Sequence, residues 1–512
     1  LVKQGDVWKE TDWETALKAT ADGIKKVLQE QGAGQFGALA GGNATTEEAY
    51  LFQKLMRGLG VANIDHRLRQ TDFSAQDQAP VAPTLGMPIA EVENLGAALL
   101  VGSNIRKDQP LLGHRIRKAA MKGGKVSVIN PLAYEFVFPV QQTLTGNAER
   151  MVQDLAGVAK ALVQSGGAKA PAGLEALLAE VSFDDSHQAI AQDLHQAGNA
   201  AVILGSQAVG HPAYATLCAL GDAIARMSGS RLALIPEAAN SVGANLMGVL
   251  PHRTVGGRAA DNKGLDVSQM FQSRLKGWLL LGTEPEVDSA YGVVAAKALR
   301  EADFVVAVSA FRSSAMESYA NVILPLAPYA ETSGSYINAE GRWQRFNGAA
   351  KARGEARPAW KILRVLGNVL DVDGFDYMSS EEVHDELQRQ TADIQLGGET
   401  QWPMPAALPA AEQSFARVGD VPMYAVDGLV RRASSLQRTV DAVAAGVYLN
   451  SVTAEQLGFK ENDTAAVRQD GNSLQLKVVL DERVPANCAY VPLMPETAAL
   501  GPLFGRLDIE RS

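Results

Sequence analysis

Cysteine is nearly missing from this chain. Cys218 and Cys488 are the two in 512 residues, far apart and each set among apolar neighbours, so both are expected to be buried free thiols. A disulfide scaffold is excluded, and so is an iron–sulfur cluster held by four local thiolates. Histidine is sparse as well, with seven residues at positions 66, 114, 187, 195, 211, 252 and 384. None forms HExxH, and no CxxC exists, so no local metal motif is present. His187 and His195 are about two helical turns apart, and any metal pair there would need ligands from distant loops. There is no GxGxxG opening a helix, no GxxxxGK[ST] and no GxSxG elbow. No apolar run approaches the roughly 20 residues that span a bilayer, and the opening "LVKQGDVWKE" has no signal-peptide core. Its start at Leu1 rather than Met is what a fragment or a processed chain would show. A basic excess is also lacking. Lys plus Arg is 47 against 57 for Asp plus Glu, a formal charge of -10, which argues against general nucleic-acid binding but permits a local basic patch.

What is present is a long α/β alternation. Apolar residues make up 46% of the chain, enough for several cores, and the length calls for more than one domain. Trp13, Ala16, Leu17, Ile24, Val27 and Leu28 have helical spacing. "FGALAGG" reads as a strand. "TTEEAYLFQKLMRGLG" reads as a helix capped by Thr45 or Thr46 and stopped at Gly60, with Tyr50, Leu51, Leu55 and Leu59 inward. The pattern recurs in "AALLVGSN", "KVSVINP", "NAAVILGSQ", "RLALIPEAAN", "GWLLLGTEP", "ADFVVAVSA" and "ANVILPLAP". Such short apolar runs, ending in Gly, Pro, Ser or Asn and separated by helices, predict mainly parallel sheets covered on both faces. Ligands in such folds sit beyond the strand C-termini, here at 102–104, 130–131, 205–207, 282–285 and 309–313. After residue 371 the periodicity fades into a Pro-, Gly- and Ala-rich stretch. "VYLN", "TAAVRQ", "LQLKVVL" and "CAYVPL" then read as strands of a small barrel. The expected division is a discontinuous α/β domain at 1–90 and 271–370, a Rossmann-like domain at 91–270, a crossing segment at 371–426 and the barrel at 427–512.

Three other segments carry charge or glycine. "HRIRKAAMKGGK" is a basic helix, read first as a solvated face and second as a surface for an acidic partner. Asp184 and Asp185 are adjacent and on a strand would face opposite ways, against a two-carboxylate site. "GGRAADNKG" reads as a flexible connection rather than a phosphate cradle. The segment at 329–346, "YAETSGSYINAEGRWQRF", follows a buried strand. Its Glu331, Glu340, Arg342 and Arg345 are spaced for turn-local ion pairs, Gly334 and Gly341 for tight turns, and Tyr336 and Trp343 for apolar anchoring.

Four stretches carry a resemblance: "LVKQGDVWKETDWETAL", "TTEEAYLFQKLMRGLGVANIDHRLR", "LLVGSNIRKDQPLLGHRIRKAA" and "AETSGSYINAEGRWQRFNGAAKARGEARPAWKILRVLG". Together they resemble the molybdopterin oxidoreductase superfamily, and within it the branch that supplies the large G subunit of NADH-quinone oxidoreductase, respiratory complex I. The resemblance implies a multi-domain α/β fold with parallel sheets and a barrel-like C-terminal domain. It further implies 2Fe-2S and 4Fe-4S clusters in an N-terminal region that this chain does not contain, and no cofactor in the chain itself. The implied partners are other peripheral-arm subunits, especially the NADH/FMN-binding and cluster-carrying ones, at the cytoplasmic side of the bacterial inner membrane, without membrane insertion or nucleic acid. Molybdopterin is not expected. In catalytic relatives the counterpart of "IDHRLRQTDF" supplies a Cys, selenocysteine, Ser or Asp to the metal. Here that position falls on Thr71, with Asp72 in the place of the usual His, or on Asp72 itself if the register shifts by one residue; a neutral threonine hydroxyl is a poor soft-metal ligand. The usual Asp-Pro-Arg loop reads Asn130, Pro131, Leu132, and Ile105 replaces the usual Pro after Gly102, Ser103 and Asn104. Thr71, Asp72, Gly102, Ser103, Asn104, Asn130, Glu331, Arg342 and Trp343 are therefore candidates for a vestigial cofactor pocket with no catalytic role. Two other readings stand beside this one: a molybdopterin-dependent oxidoreductase domain with its own active site, and an independent sugar- or nucleotide-binding α/β module.

Overall fold

A computed structural model describes residues 1–166, 169–396, 401–410 and 414–511. Two units emerge. One comprises Leu1–Leu68, Pro80–Ala82 and Ala238–Gly398, the other Arg69–Ala79, Pro83–Glu237 and Glu399–Ser512.

The first unit is built on a seven-stranded sheet in the order Val7–Lys9, Val2–Gln4, Val322–Pro325, Phe304–Ser309, Gly277–Leu281, Phe36–Ala40, Asn63–Asp65. From Val322–Pro325 onward the neighbours are parallel, and the N-terminal hairpin adds an antiparallel edge. The hairpin strands are too short to show periodicity, which is why the sequence gives no sign of them. Phe36–Ala40 and Gly277–Leu281 are buried throughout, as strands covered on both faces must be. Helix Trp13–Gln31 starts on an Asp12 cap and buries Ala16, Leu17, Ile24 and Val27. Helix Thr46–Gly58 begins with a reciprocal capping box between Thr45 and Glu48, so Thr45 is the cap, which satisfies two orphan N–H groups at once. Its Tyr50, Leu51 and Leu55 are buried. Leu59 falls just past the last turn and is half-buried. The stretch assigned to a crossing segment contains helix Ser380–Thr391, whose Val383, His384 and Leu387 are buried.

The second unit holds a wholly parallel five-stranded sheet in the order Thr143–Thr145, Lys125–Asn130, Ala97–Val101, Ala200–Leu204, Arg231–Leu234. Helices Ala148–Gln164, Asp185–Gln196 and Tyr214–Ser228 bury apolar stripes. Asp184 is the cap of Asp185–Gln196 rather than part of a strand, and its acceptor oxygens serve the helix start. The unit also carries a second, seven-stranded sheet formed by the C-terminal residues. Its two edges are Gly505–Arg506, paired with Ala416–Val418, and Asp508–Arg511, paired with Thr464–Gln469. These edge strands are separated by Leu507 alone, so one segment borders both edges and the sheet is a nearly closed barrel. Ala416–Val418, within the stretch read as a crossing segment, is a strand of this barrel. Its Arg417 is fully buried and donates to the carbonyls of Val491, Gly501 and Pro502 and to Gln469.

Candidate functional site

The candidate site of the second unit lies where its parallel strands end. After Ala97–Val101 the chain turns at Gly102, whose φ is 57°. A Cβ there would come within 2.6 Å of the Ala208 backbone nitrogen, so glycine is required by both conformation and space. Asn130, at the end of its strand, is wholly buried. Its Oδ1 accepts from the Ser103 N–H at 2.7 Å, and its Nδ2 donates to the Ser103 carbonyl at 3.2 Å. The Asn104 N–H donates to Gln207 Oε1 at 3.1 Å. The loops at 102–104, 130–131 and 205–207 are thus brought together, and their amides bind one another.

Thr71 and Asp72 are committed to the same unit. Thr71 Oγ1 donates to the Gly210 carbonyl at 3.1 Å. Asp72 Oδ1 accepts from Ser74 N–H and Oγ, and Oδ2 accepts from the Ala215 N–H at 2.8 Å. Ala215 lies in the first turn of Tyr214–Ser228, whose own Ala213 provides no side-chain cap. A carboxylate at that position supplies the missing acceptor and meets the positive end of the helix dipole.

A cleft of about 210 Å³ opens beside these loops, with Arg69, Asp108, Gln109, Gln207, Glu237 and Asp420 in its wall. Burial pushes the Asp108 carboxyl up to about 6, and the charge of Asp420 adds to this against hydrogen bonds from Ser206 and Gln207. Asp420, raised by burial, accepts from the Tyr134 and Tyr490 hydroxyls at 2.7 Å each. Gln207 lies in the strand-end loop 205–207 that the sequence pointed to, but sequence spacing gave no sign of Asp108 or Asp420, because each acquires its setting from elements far away in the chain. Ser103 Oγ and Gln109 Oε1 are buried without hydrogen-bond partners.

Glu331, Arg342 and Trp343 belong to the first unit. Glu331 accepts from the Arg353 N–H at 3.1 Å. Arg342 is exposed at the turn of the hairpin formed by Gly334–Ile337 and Trp343–Phe346. Trp343 meets the His384 ring edge-on at 5.4 Å. The expected turn-local ion pair of Arg345 is instead a long-range one with Glu381, since strand pairing turns Arg345 outward toward helix Ser380–Thr391. Gly334 is required by close approach rather than by a turn, for a Cβ there would come within 2.7 Å of Thr45. Buried Glu47 accepts from the N–H and hydroxyl of Ser335 and lies 3.0 Å from His384 Nδ1. The adjacent Glu48 is pushed up to about 7, chiefly by burial.

Of the histidines read as a remote metal pair, His187 is buried and His195 exposed. His187 lies between Asp154 at 3.2 Å and Asp184 at 2.7 Å. Among the described residues, no group of three or more His, Cys, Asp or Glu side chains is placed to hold a metal ion.

The sequence profile of the molybdopterin oxidoreductase family matches residues 1–369. The chain belongs to the molybdopterin oxidoreductase family. Over 528 aligned residues it is 28% identical to the G subunit of the NADH-quinone oxidoreductase of Streptomyces coelicolor, covering 94% of this chain and 59% of that protein. It is 25% identical to the F420-dependent formate dehydrogenase alpha subunit of Methanocaldococcus jannaschii, covering 76% of this chain and 64% of that one. The match thus spans less than two thirds of the length of either relative. Acetylene hydratase from Pelobacter acetylenicus shares the fold at a TM-score of 0.72, with 13% identity, over 99% of this chain and 90% of that one.

Molybdopterin oxidoreductase membership implies a molybdenum or tungsten pterin, and the donor set here does not fit the metal. Thr71 offers a hard, neutral hydroxyl already donating to a carbonyl, and both Asp72 oxygens are engaged. The Cys218 thiol, in helix Tyr214–Ser228, is fully buried, and burial raises it far above the usual thiol range. Asn130 spends its amide on Ser103, so a ligand at this loop would have to displace an internal bond.

Proposed function

We propose that this chain is a non-catalytic, structural region of an NADH-quinone oxidoreductase, corresponding to the cluster-free part of its large G subunit. The observation that carries this reading is the engagement of Thr71 and Asp72 with the chain's own backbone, at the position where catalytic relatives present a metal ligand. In this reading Gly102, Ser103, Asn104 and Asn130 are the remains of a cofactor loop. The hairpin bearing Trp343, with Glu331 and Arg342, fills space that a cofactor once occupied. The chain's work is then to support electron transfer from NADH to quinone by holding the cluster-bearing region and the NADH/FMN-binding subunit in place, at the cytoplasmic face of the membrane. No helix among the described residues is long and apolar enough to cross a membrane, which agrees with a peripheral position.

The alternative, a molybdopterin-dependent oxidoreductase with its own active site, rests on the orphaned Ser103 Oγ and Gln109 Oε1, buried groups of the kind a ligand satisfies. The test is to express the complete protein in its host with Thr71→Val and Asp72→Asn. The structural reading expects the NADH-to-quinone rate to stay within about twofold, since no transition-state contact is lost. A loss of about a hundredfold with the complex intact would reject it in favour of the alternative.

A further inference from the structure

The basic stretch that begins at His114 is left unexplained by the role above. It lies on helix Pro110–Met121, which buries Leu112, Gly113, Ile116, Ala119 and Ala120. The opposite face carries Leu111, His114, Lys118 and Met121, residues at spacings of three and four that form a single stripe. Leu111 is 79% exposed and Met121 63%, an unusual pair of apolar ends for a solvated helix. Arg117 flanks the stripe, and its Nε donates to the carbonyl of Val137, itself 53% exposed. The charge is unbalanced. Arg115, Lys118 and Lys122 all converge on Glu93, and their hydrogen bonds, led by Lys118, hold that carboxyl down at about 2. One carboxylate thus serves three cations, on a chain whose overall charge is -10.

We infer that this stripe is a docking surface for an acidic amphipathic helix of a partner protein. The two apolar ends are about 15 Å apart at 1.5 Å per residue, with Lys118 between them and Arg117 beside the stripe. A second helix packed along the stripe would place apolar side chains over Leu111 and Met121 and carboxylates near the cations Arg117 and Lys118. A lipid surface fits less well. A helix lying in a membrane interface keeps its apolar face continuous and its cations at the margins, whereas here insertion would carry His114 and Lys118 into hydrocarbon. Nucleic acid would leave Leu111 and Met121 without a counterpart, since phosphate contacts need only the cations. The inference stands independently of which oxidoreductase this chain serves.

The test uses the full chain and a defined probe, a ~14-residue capped helical peptide, about 20 Å long, with leucine opposite both apolar ends and glutamate between. Saturable binding is expected, weakening with added salt. Leu111→Ser with Met121→Ser, and separately His114→Glu with Arg117→Glu, should each weaken it on the order of tenfold while the circular dichroism spectrum is unchanged. Lys297→Glu, on a helix of the other unit, should leave binding as it was. No binding, equal binding of a scrambled peptide, or indifference to both double substitutions would overturn the inference. Tighter binding to phosphatidylserine-containing vesicles than to the peptide would overturn the choice of a protein partner.

Discussion

Asn130 and Asp65 hold matching places in two different parallel sheets. Each ends a strand, each is wholly buried, and each secures the backbone of a neighbouring loop. Their chemistry is opposite. Asn130 is a neutral clamp that accepts from and donates to one residue, Ser103. Asp65 is a charged hub. Its Oδ1 accepts from the backbone of His66 and Arg67 and from Arg67 Nε, and its Oδ2 accepts from Arg67 Nη2 and the Val267 N–H. Burial pushes the Asp65 carboxyl up, but the charge and hydrogen bonds of Arg67 outweigh it and hold the group below its usual range. The neutral clamp is modest and independent of pH. The charged one holds more backbone, and is costly when half of it is removed.

The largest effect is expected from halving the charged hub. Asp65→Asn removes the carboxylate that holds the guanidinium of Arg67, a side chain only 9% exposed, and should cost about 3–5 kcal/mol in urea unfolding. Adding Arg67→Met should recover part of that loss, because the buried guanidinium is then removed together with its counter-charge. A double variant as unstable as the single one would refute the hub interpretation.

Next in size is the neutral clamp. Asn130→Ala leaves the Ser103 N–H and carbonyl unsatisfied and should cost about 1–3 kcal/mol, equally at pH 5 and pH 8. Asn130→Asp sharpens the comparison by placing a carboxylate there without an arginine. It should be tolerated better at low pH and worse as the group ionises. The Asp65 contribution runs the other way. Its folded pKa lies below its unfolded one, so its stabilisation is complete above the unfolded value and is lost as pH falls through the folded one.

A smaller pH effect should come from His187. Hydrogen bonding to Asp154, and secondarily to Asp184, raises its pKa despite burial. The contribution is therefore complete below the unfolded value of 6.5 and fades as pH rises through the folded one. Charged His187 donates from both ring nitrogens, so the Asp184 N–H bond to Nδ1 belongs to the neutral form. His187→Asn should lower stability by about 1 kcal/mol below pH 6 and by less above pH 8. A constant difference across that range would remove His187 as a titrating latch. The smallest effect is expected from Thr71→Val, below about 1 kcal/mol, because a partly exposed hydroxyl loses a single bond to Gly210.

The two clamps also mark how much could be read in advance. The parallel strands were legible because burial on both faces makes each a continuous apolar run, as in Ala97–Val101 and Gly277–Leu281. A cap at Thr45 or Thr46 was legible from the local pattern, and the bond from Glu48 N–H, three residues on, settles it on Thr45. The role of Asp72 was not, since its acceptor duty is owed to Ala215, 143 residues away. Helix Ser380–Thr391 escaped notice because its buried stripe is narrow among charged residues. Arg417 lay unremarked in the stretch assigned to a crossing segment, and only closure of the barrel gathers its carbonyl acceptors around it. Local pairs leave a pattern in sequence, and contacts made by the fold do not.

The central claim is that Thr71 and Asp72, at the place of a catalytic metal-ligand segment, now serve the chain's own backbone, Thr71 at Gly210 and Asp72 at the start of helix Tyr214–Ser228. Elemental analysis with pterin extraction, on the complete protein purified from its own host, tests it most directly. The account predicts molybdenum and tungsten far below stoichiometric, and no pterin. Near-stoichiometric metal with pterin, lost together with activity when Thr71 and Asp72 are replaced, would contradict it.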